Sequence, residues 1–122
     1  MYERTYKTWG QRHRVFENDL CEVCYLDLEP KQRCSFHFHN SKSNLFFVIM
    51  GELTIKTEWG TVVLKPNEMF TVHPQDKHEF STGVQPTRII EVAYVKLDPE
   101  DIYRSSIGGP TEEIIDPYAQ TR

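Results

Sequence analysis

The chain has 122 residues, a formal net charge of −4 and 39% hydrophobic content. That length fits one domain with one core. The acidic balance offers no electrostatic footprint for nucleic acid, and no run of about 20 apolar residues is present to span a membrane. Seven Phe, six Tyr and two Trp suit a folded chain rather than a disordered one.

The opening residues, Met1-Tyr2-Glu3-Arg4, carry no apolar signal segment, so a cytoplasmic protein is expected. Short strands follow, at residues 12–17, 21–29, 33–39, 44–50, 53–58, 61–65, 69–73, 78–81 and 87–95. Several carry Val, Ile, Thr, Phe or Tyr. Turn residues separate them: Asn18-Asp19, Glu29-Pro30, Met50-Gly51, Trp59-Gly60, Pro66-Asn67, Pro74-Gln75 and Gly83. Strands this short and evenly spaced predict an all-β sandwich or barrel. One short helix is predicted over 98–104. Asp98 is its cap, Pro99 takes the first helical position, and Glu100 and Asp101 complement its positive end. The expected domain is 1–104. Residues 105–122 form a tail, flexible or packed on a partner subunit.

Cys21, Cys24 and Cys34 are an odd set without a signal peptide, which argues against a disulfide framework. Cys21 and Cys24 lie three apart in an alternating run and face opposite sides, so buried structural thiols are expected. Cys34 lies three residues before His37. On a continuous strand it would face away from that histidine.

The chemistry concentrates in histidines. His37 and His39 lie one residue apart and share a face of a strand. His78 follows a proline turn much later. Three imidazoles on a β-scaffold point to one divalent transition metal: zinc, nickel, iron or manganese. His73 precedes Pro74 and is a weaker pocket candidate. His13 has no partner in sequence and is expected to be structural or exposed.

The stretch from Cys34 through His37-Phe38-His39 and Asn44 to Gly51-Glu52-Leu53 resembles the first motif of the cupin family. The stretch from Gly60 through Pro66-Asn67-Glu68 to His78 is similar to the second. The resemblance implies a double-stranded β-helix (jelly-roll) barrel with a metal inside, held by His37, His39 and His78. Asn44 stands where the family usually carries a glutamate ligand, and Glu68 replaces a usual glycine. An amide oxygen is a neutral, weaker donor than a carboxylate.

Trp9-Gly10, Leu64-Lys65-Pro66-Asn67-Glu68, Ile89-Ile90-Glu91-Val92 and the segment from Asp98 to Arg104 are similar to mannose-6-phosphate isomerase-like cupins. That similarity implies a metal-dependent isomerase or lyase acting on a small sugar or sugar acid. Iron-dependent dioxygenase chemistry and a non-catalytic ligand-binding or sensor role are the alternatives. Glu91, on an otherwise apolar strand face, is the candidate base. Arg88, Tyr25, Tyr94 and His73 are candidate substrate contacts, with Lys77 a further cation. No basic cluster in the sequence marks a phosphate pocket. The run Leu45-Phe46-Phe47-Val48-Ile49-Met50 reads as a strand buried on both faces, which predicts a homodimer.

Overall fold

The computed structural model describes residues 2–95, 100–101, 103–106 and 109–110. The described residues form nine strands: β1 (Glu3–Lys7), β2 (Gly10–Glu17), β3 (Cys21–Leu28), β4 (Ser43–Met50), β5 (Leu53–Thr57), β6 (Gly60–Leu64), β7 (Met69–Val72), β8 (His78–Thr82) and β9 (Thr87–Tyr94). They build a six-stranded sheet in the order β1-β2-β3-β9-β4-β7 and a three-stranded sheet in the order β6-β5-β8. All pairs are antiparallel.

Period-2 alternation sets the inner face. Cys24, Leu26 and Leu28 of β3, Phe46 and Val48 of β4, and Ile89 of β9 pack against Leu53, Ile55, Leu64 and Phe80 of the other sheet. Each such aliphatic or aromatic side chain contributes about 1.5–3 kcal/mol by leaving water. The same inner face turns polar toward one end. Register places Glu22, Ala93, Asn44 and Val72 in one row across β3, β9, β4 and β7. The next row is Arg14, Cys24, Glu91, Phe46 and Phe70. The barrel is therefore apolar at its closed end and ionisable at its mouth.

Two glycines are required by geometry. Gly10 has φ 145°, and a Cβ there would collide with the Asp27 carbonyl oxygen. Gly51 has φ 83°, and a Cβ there would strike Thr87 Oγ1. In the Pro66 turn the left-handed residue is Asn67, with φ 71°, not Glu68. Glu68 stiffens that turn: its Oε1 accepts from the Lys65 amide at 2.8 Å.

Three expectations change. Residues 33–39 are not a strand. They meet β8 through isolated bridges at Arg33–Ser81 and His37–His78 and through hydrogen bonds between Cys34 and Phe80. The segment spends its polar groups locally, with Ser35 accepting from the His37 ring. Second, β1 has no apolar face, with the exposed residues Glu3, Arg4, Tyr6 and Lys7, so periodicity misses it. Third, Glu100, Asp101, Tyr103 and Arg104 are not helical, so the short helix does not form over those positions. The rest of that segment, and most of 105–122, lies outside the described residues. Cys21, Cys24 and Cys34 are free; Cys24 is buried as expected, whereas Cys21 is only half-buried.

Candidate metal centre

Two antiparallel segments hold the three histidines. His37 and His78 form a paired bridge, with the His37 amide donating to the His78 carbonyl at 3.0 Å and the reverse bond at 2.8 Å. His39 is fixed by its carbonyl, which accepts from the Gln75 amide at 2.6 Å. Gln75 reaches this position with φ 70°, one residue after the turn proline. The ligand atoms of His37, His39 and His78 lie within 4.8 Å of one another. The ring centroids are 4.5–5.5 Å apart.

Hydrogen bonding fixes which nitrogen is free. His37 Nδ1 lies 2.8 Å from the Ser35 carbonyl oxygen, and His78 Nδ1 lies 3.0 Å from the Asp76 carbonyl oxygen. A carbonyl only accepts, so both Nδ1 atoms carry the proton and both Nε2 atoms keep a lone pair. This is the second-layer arrangement that metal-ligating imidazoles require. Burial holds His39 at a pKa of about 4, helped by the charges of Lys42, His37 and His78. Burial also lowers His78. Both rings are thus biased toward the neutral, coordinating form.

Asn44 is buried and lines the same cavity as His37 and His39. Its Nδ2 donates to Glu91 Oε2 at 3.0 Å, across the β4–β9 diagonal. Its Oδ1 is buried and has no hydrogen-bond partner. Three imidazole lone pairs with one orphaned amide oxygen beside them fit a divalent transition metal. Glu91 is raised above the usual carboxylate range by burial, against the pull of Arg12, Lys42 and the Asn44 hydrogen bond.

The cavity over this cluster measures about 480 Å³. Besides the residues above, Trp9, Cys34 and Phe80 line it, together with Lys7, Arg12, Arg33 and Lys42. Arg12 is paired with Glu22 at 2.5 Å. Lys7, Arg33 and Lys42 take part in none of the ion pairs among the described residues. Sequence reasoning missed this cationic rim, because its members come from four separate segments. Cys34 also faces the cavity, since 33–39 is not a continuous strand. Its Sγ accepts from the Phe80 amide at 3.2 Å, and burial pushes the thiol up to about 11, so it stays protonated.

The predicted substrate contacts lie elsewhere. Arg88 and Tyr25 stand on the outer face of the six-stranded sheet, where Arg88 Nε donates to Asp27 Oδ1 at 2.6 Å and its guanidinium covers the Tyr25 ring. Strand parity contained this signal, since Arg88 is three residues from Glu91 and must face the other way. Tyr94 lines a separate surface cleft with Asn18 and Leu20, and His73 is exposed beside Trp59 and Asp76. Of the sequence-predicted residues, the structure gathers His37, His39, His78, Asn44 and Glu91.

Residues 1–106 match the family described as mannose-6-phosphate isomerase C-terminal. The chain belongs to this family. A comparison with curated proteins finds no match in sequence. The fold is that of the cupins. An RmlC-like cupin from Shewanella frigidimarina NCIMB 400 superposes with a TM-score of 0.70 at 19% identity, over 82% of this chain and 87% of that one. KdgF from Halomonas sp. gives a TM-score of 0.69 at 13% identity, over 80% and 89%. A cupin-superfamily sugar phosphate isomerase from Silicibacter pomeroyi DSS-3 gives 0.67 at 15% identity, over 78% and 72%. Among the described residues, no helix is long and apolar enough to cross a membrane.

Proposed function

We propose that this chain is a metal-dependent isomerase or lyase acting on a small sugar acid or similarly anionic sugar. The observation that carries the reading is a cluster of three convergent imidazoles, two of which, His37 and His39, line one cavity with Asn44 and with Lys7, Arg33 and Lys42, cations that take part in no ion pair among the described residues. Membership of a sugar-isomerase family supports the substrate class. His37, His39 and His78 would hold the ion, with Asn44 as a fourth donor. When bound, such an ion supplies Lewis acidity to a sugar's carbonyl or hydroxyl oxygens.

The chain's own groups account for the rest. Arg33, Lys42 and Lys7 receive the anionic end of the substrate, and Trp9 and Phe80, in edge contact at 5.3 Å, wall the cavity. Glu91 is the proton carrier. Its Oε2 is engaged by Asn44, and its Oε1 has no hydrogen-bond partner among the described residues. For isomerisation it takes the proton from C2 of an aldose and returns it to C1, with the hydroxyl proton moving between the two oxygens. A carboxyl raised by burial is suited to both halves of that transfer.

The test is elemental analysis of tag-free protein, then incubation of the loaded protein with aldoses and uronates in D2O without oxygen. Deuterium at C1 or C2, or loss of water from the sugar, supports the reading. Glu91→Gln should then slow exchange by about 100-fold or more. Turnover only with oxygen uptake replaces the reading with the dioxygenase one. Saturable binding without turnover replaces it with the ligand-binding one.

We propose further that the protein is a homodimer. The outer face of the six-stranded sheet gathers Val15, Ile49 and Met69, which are 45%, 43% and 57% exposed, around the half-buried Val23, Leu45, Phe47 and Ile90. Such a patch fits a partner's apolar face. Sedimentation at micromolar concentration should give twice the chain mass, and Ile49→Lys should shift it toward one chain mass. A parent that sediments as a monomer removes the proposal.

A further inference from the structure

The geometry points to Glu91 as the positioning residue that turns the Asn44 amide so that its oxygen, not its nitrogen, meets the ion. The inference rests on the metal reading above and concerns how this chain compensates for a missing ligand carboxylate. It is separate from proton transfer by Glu91, which needs substrate.

An asparagine side chain is nearly symmetric in shape, and a half-turn about its last bond exchanges oxygen for NH2. With the oxygen toward the ion, Asn44 is a ligand. With the NH2 toward it, Asn44 repels the ion and blocks the site. Something must select between the two. Asn44 Nδ2 lies 3.0 Å from Glu91 Oε2, and that bond commits the NH2 to β9. The oxygen is thereby sent the other way. Asn44 Oδ1 is the buried side-chain polar atom without a partner among the described residues. Leaving a buried acceptor unpaired is costly, and Asn44 lines the cavity it shares with His37 and His39, so the oxygen left over by the Glu91 bond is the donor this side chain has to offer an ion there.

The register explains why Glu91 can do this. Ala93 stands directly opposite Asn44, and its small side chain leaves the diagonal to Glu91 open. On its other flank Glu91 faces Cys24, which offers only a buried thiol. The negative charge usual at position 44 in this fold is thus set one hydrogen bond further back, on the neighbouring strand.

The test uses cobalt(II) added to the metal-stripped full chain without substrate, read by the affinity and by the visible ligand-field spectrum. Glu91→Gln should weaken cobalt binding by about 10–100-fold. Its spectrum should resemble that of Asn44→Ala. If Glu91 acts through Asn44, adding Glu91→Gln to Asn44→Ala should change the affinity by no more than about twofold. The exchanged pair Asn44→Asp with Glu91→Gln keeps one amide and one carboxyl in contact, and should bind at least as tightly as the parent. This pair keeps the test decisive if Glu91→Gln alone fails to fold, which far-UV circular dichroism reports. An unchanged affinity in Glu91→Gln overturns the inference. So does an equal loss in the presence and absence of the Asn44 side chain, which would mean that Glu91 acts by charge alone. A parent that binds no cobalt sinks the metal reading itself, and a parent that binds normally while the cycle fails sinks only this inference.

Discussion

Two histidine environments lie on different sheets: His13 on β2 of the six-stranded sheet, and His78, with His37 bridged to it, on β8 of the three-stranded one. His13, on the outer face, is buried between the Tyr25 ring at 4.2 Å and the Tyr2 ring at 5.8 Å. Both of its nitrogens are spent: Nδ1 lies 2.5 Å from Tyr2 Oη, and Nε2 lies 3.0 Å from Asp27 Oδ2. His37 and His78 each spend only Nδ1, on a backbone carbonyl. The difference teaches that burial and polarity do not separate a structural histidine from a ligand. Hydrogen-bond accounting does. A ring with both nitrogens engaged ties elements together, and a ring with one nitrogen free is available to an ion.

The sharpest way to break this contrast is to remove one ring from each site. His78→Ala should take bound metal from near one equivalent to near none, because two imidazoles and an amide hold a divalent ion poorly. His13→Ala should leave metal content unchanged and lower the unfolding free energy by about 1–3 kcal/mol, through the unpaired partners it leaves behind. Elemental analysis and denaturant melts of the two variants check both statements. Metal loss in His13→Ala, with the fold intact, would end the distinction.

How much of this was legible in the sequence follows the range of each signal. The alternation of β3, β4 and β9 was readable because each strand packs one face on the core. The histidines were readable because their spacing is local and their turns are marked by Gly and Pro. Asn44 and Glu91 were each visible, but their contact was not, since it depends on the register of strands 47 residues apart. The cationic rim was invisible for the same reason: Lys7, Arg12, Arg33 and Lys42 meet only after the barrel closes. Arg88 and Tyr25, candidates as substrate contacts on their chemistry alone, stand together on the outer face, as strand parity with Glu91 requires for Arg88. His13 was left without a partner because Tyr2 and Asp27 reach it across two strand pairings.

The smallest expected effect is in the acid stability of the metal-free protein, where groups at one site oppose each other. His39 has a folded pKa of about 4 against an ordinary 6.5. Below pH 6.5 the unfolded chain therefore takes up a proton that the folded chain refuses, and stability falls as pH drops from 6.5 toward 4. His78 is lowered too and adds to that loss. Glu91 works the other way. Its folded pKa lies above the ordinary 4.5, so the folded chain binds the proton first and gains stability as pH falls through that raised value. In the parent the terms partly cancel. Glu91→Gln removes only the gain, so its melting temperature should fall more steeply than the parent's between pH 6.5 and 4. His39→Asn removes part of the loss and should flatten the same limb, only modestly, because His39 is partly open to solvent. Melting curves of chelator-treated protein across that range decide the matter. An unchanged limb in Glu91→Gln would mean that Glu91 ionises in the folded chain as readily as in the unfolded one, and a shallower limb that it ionises more readily there.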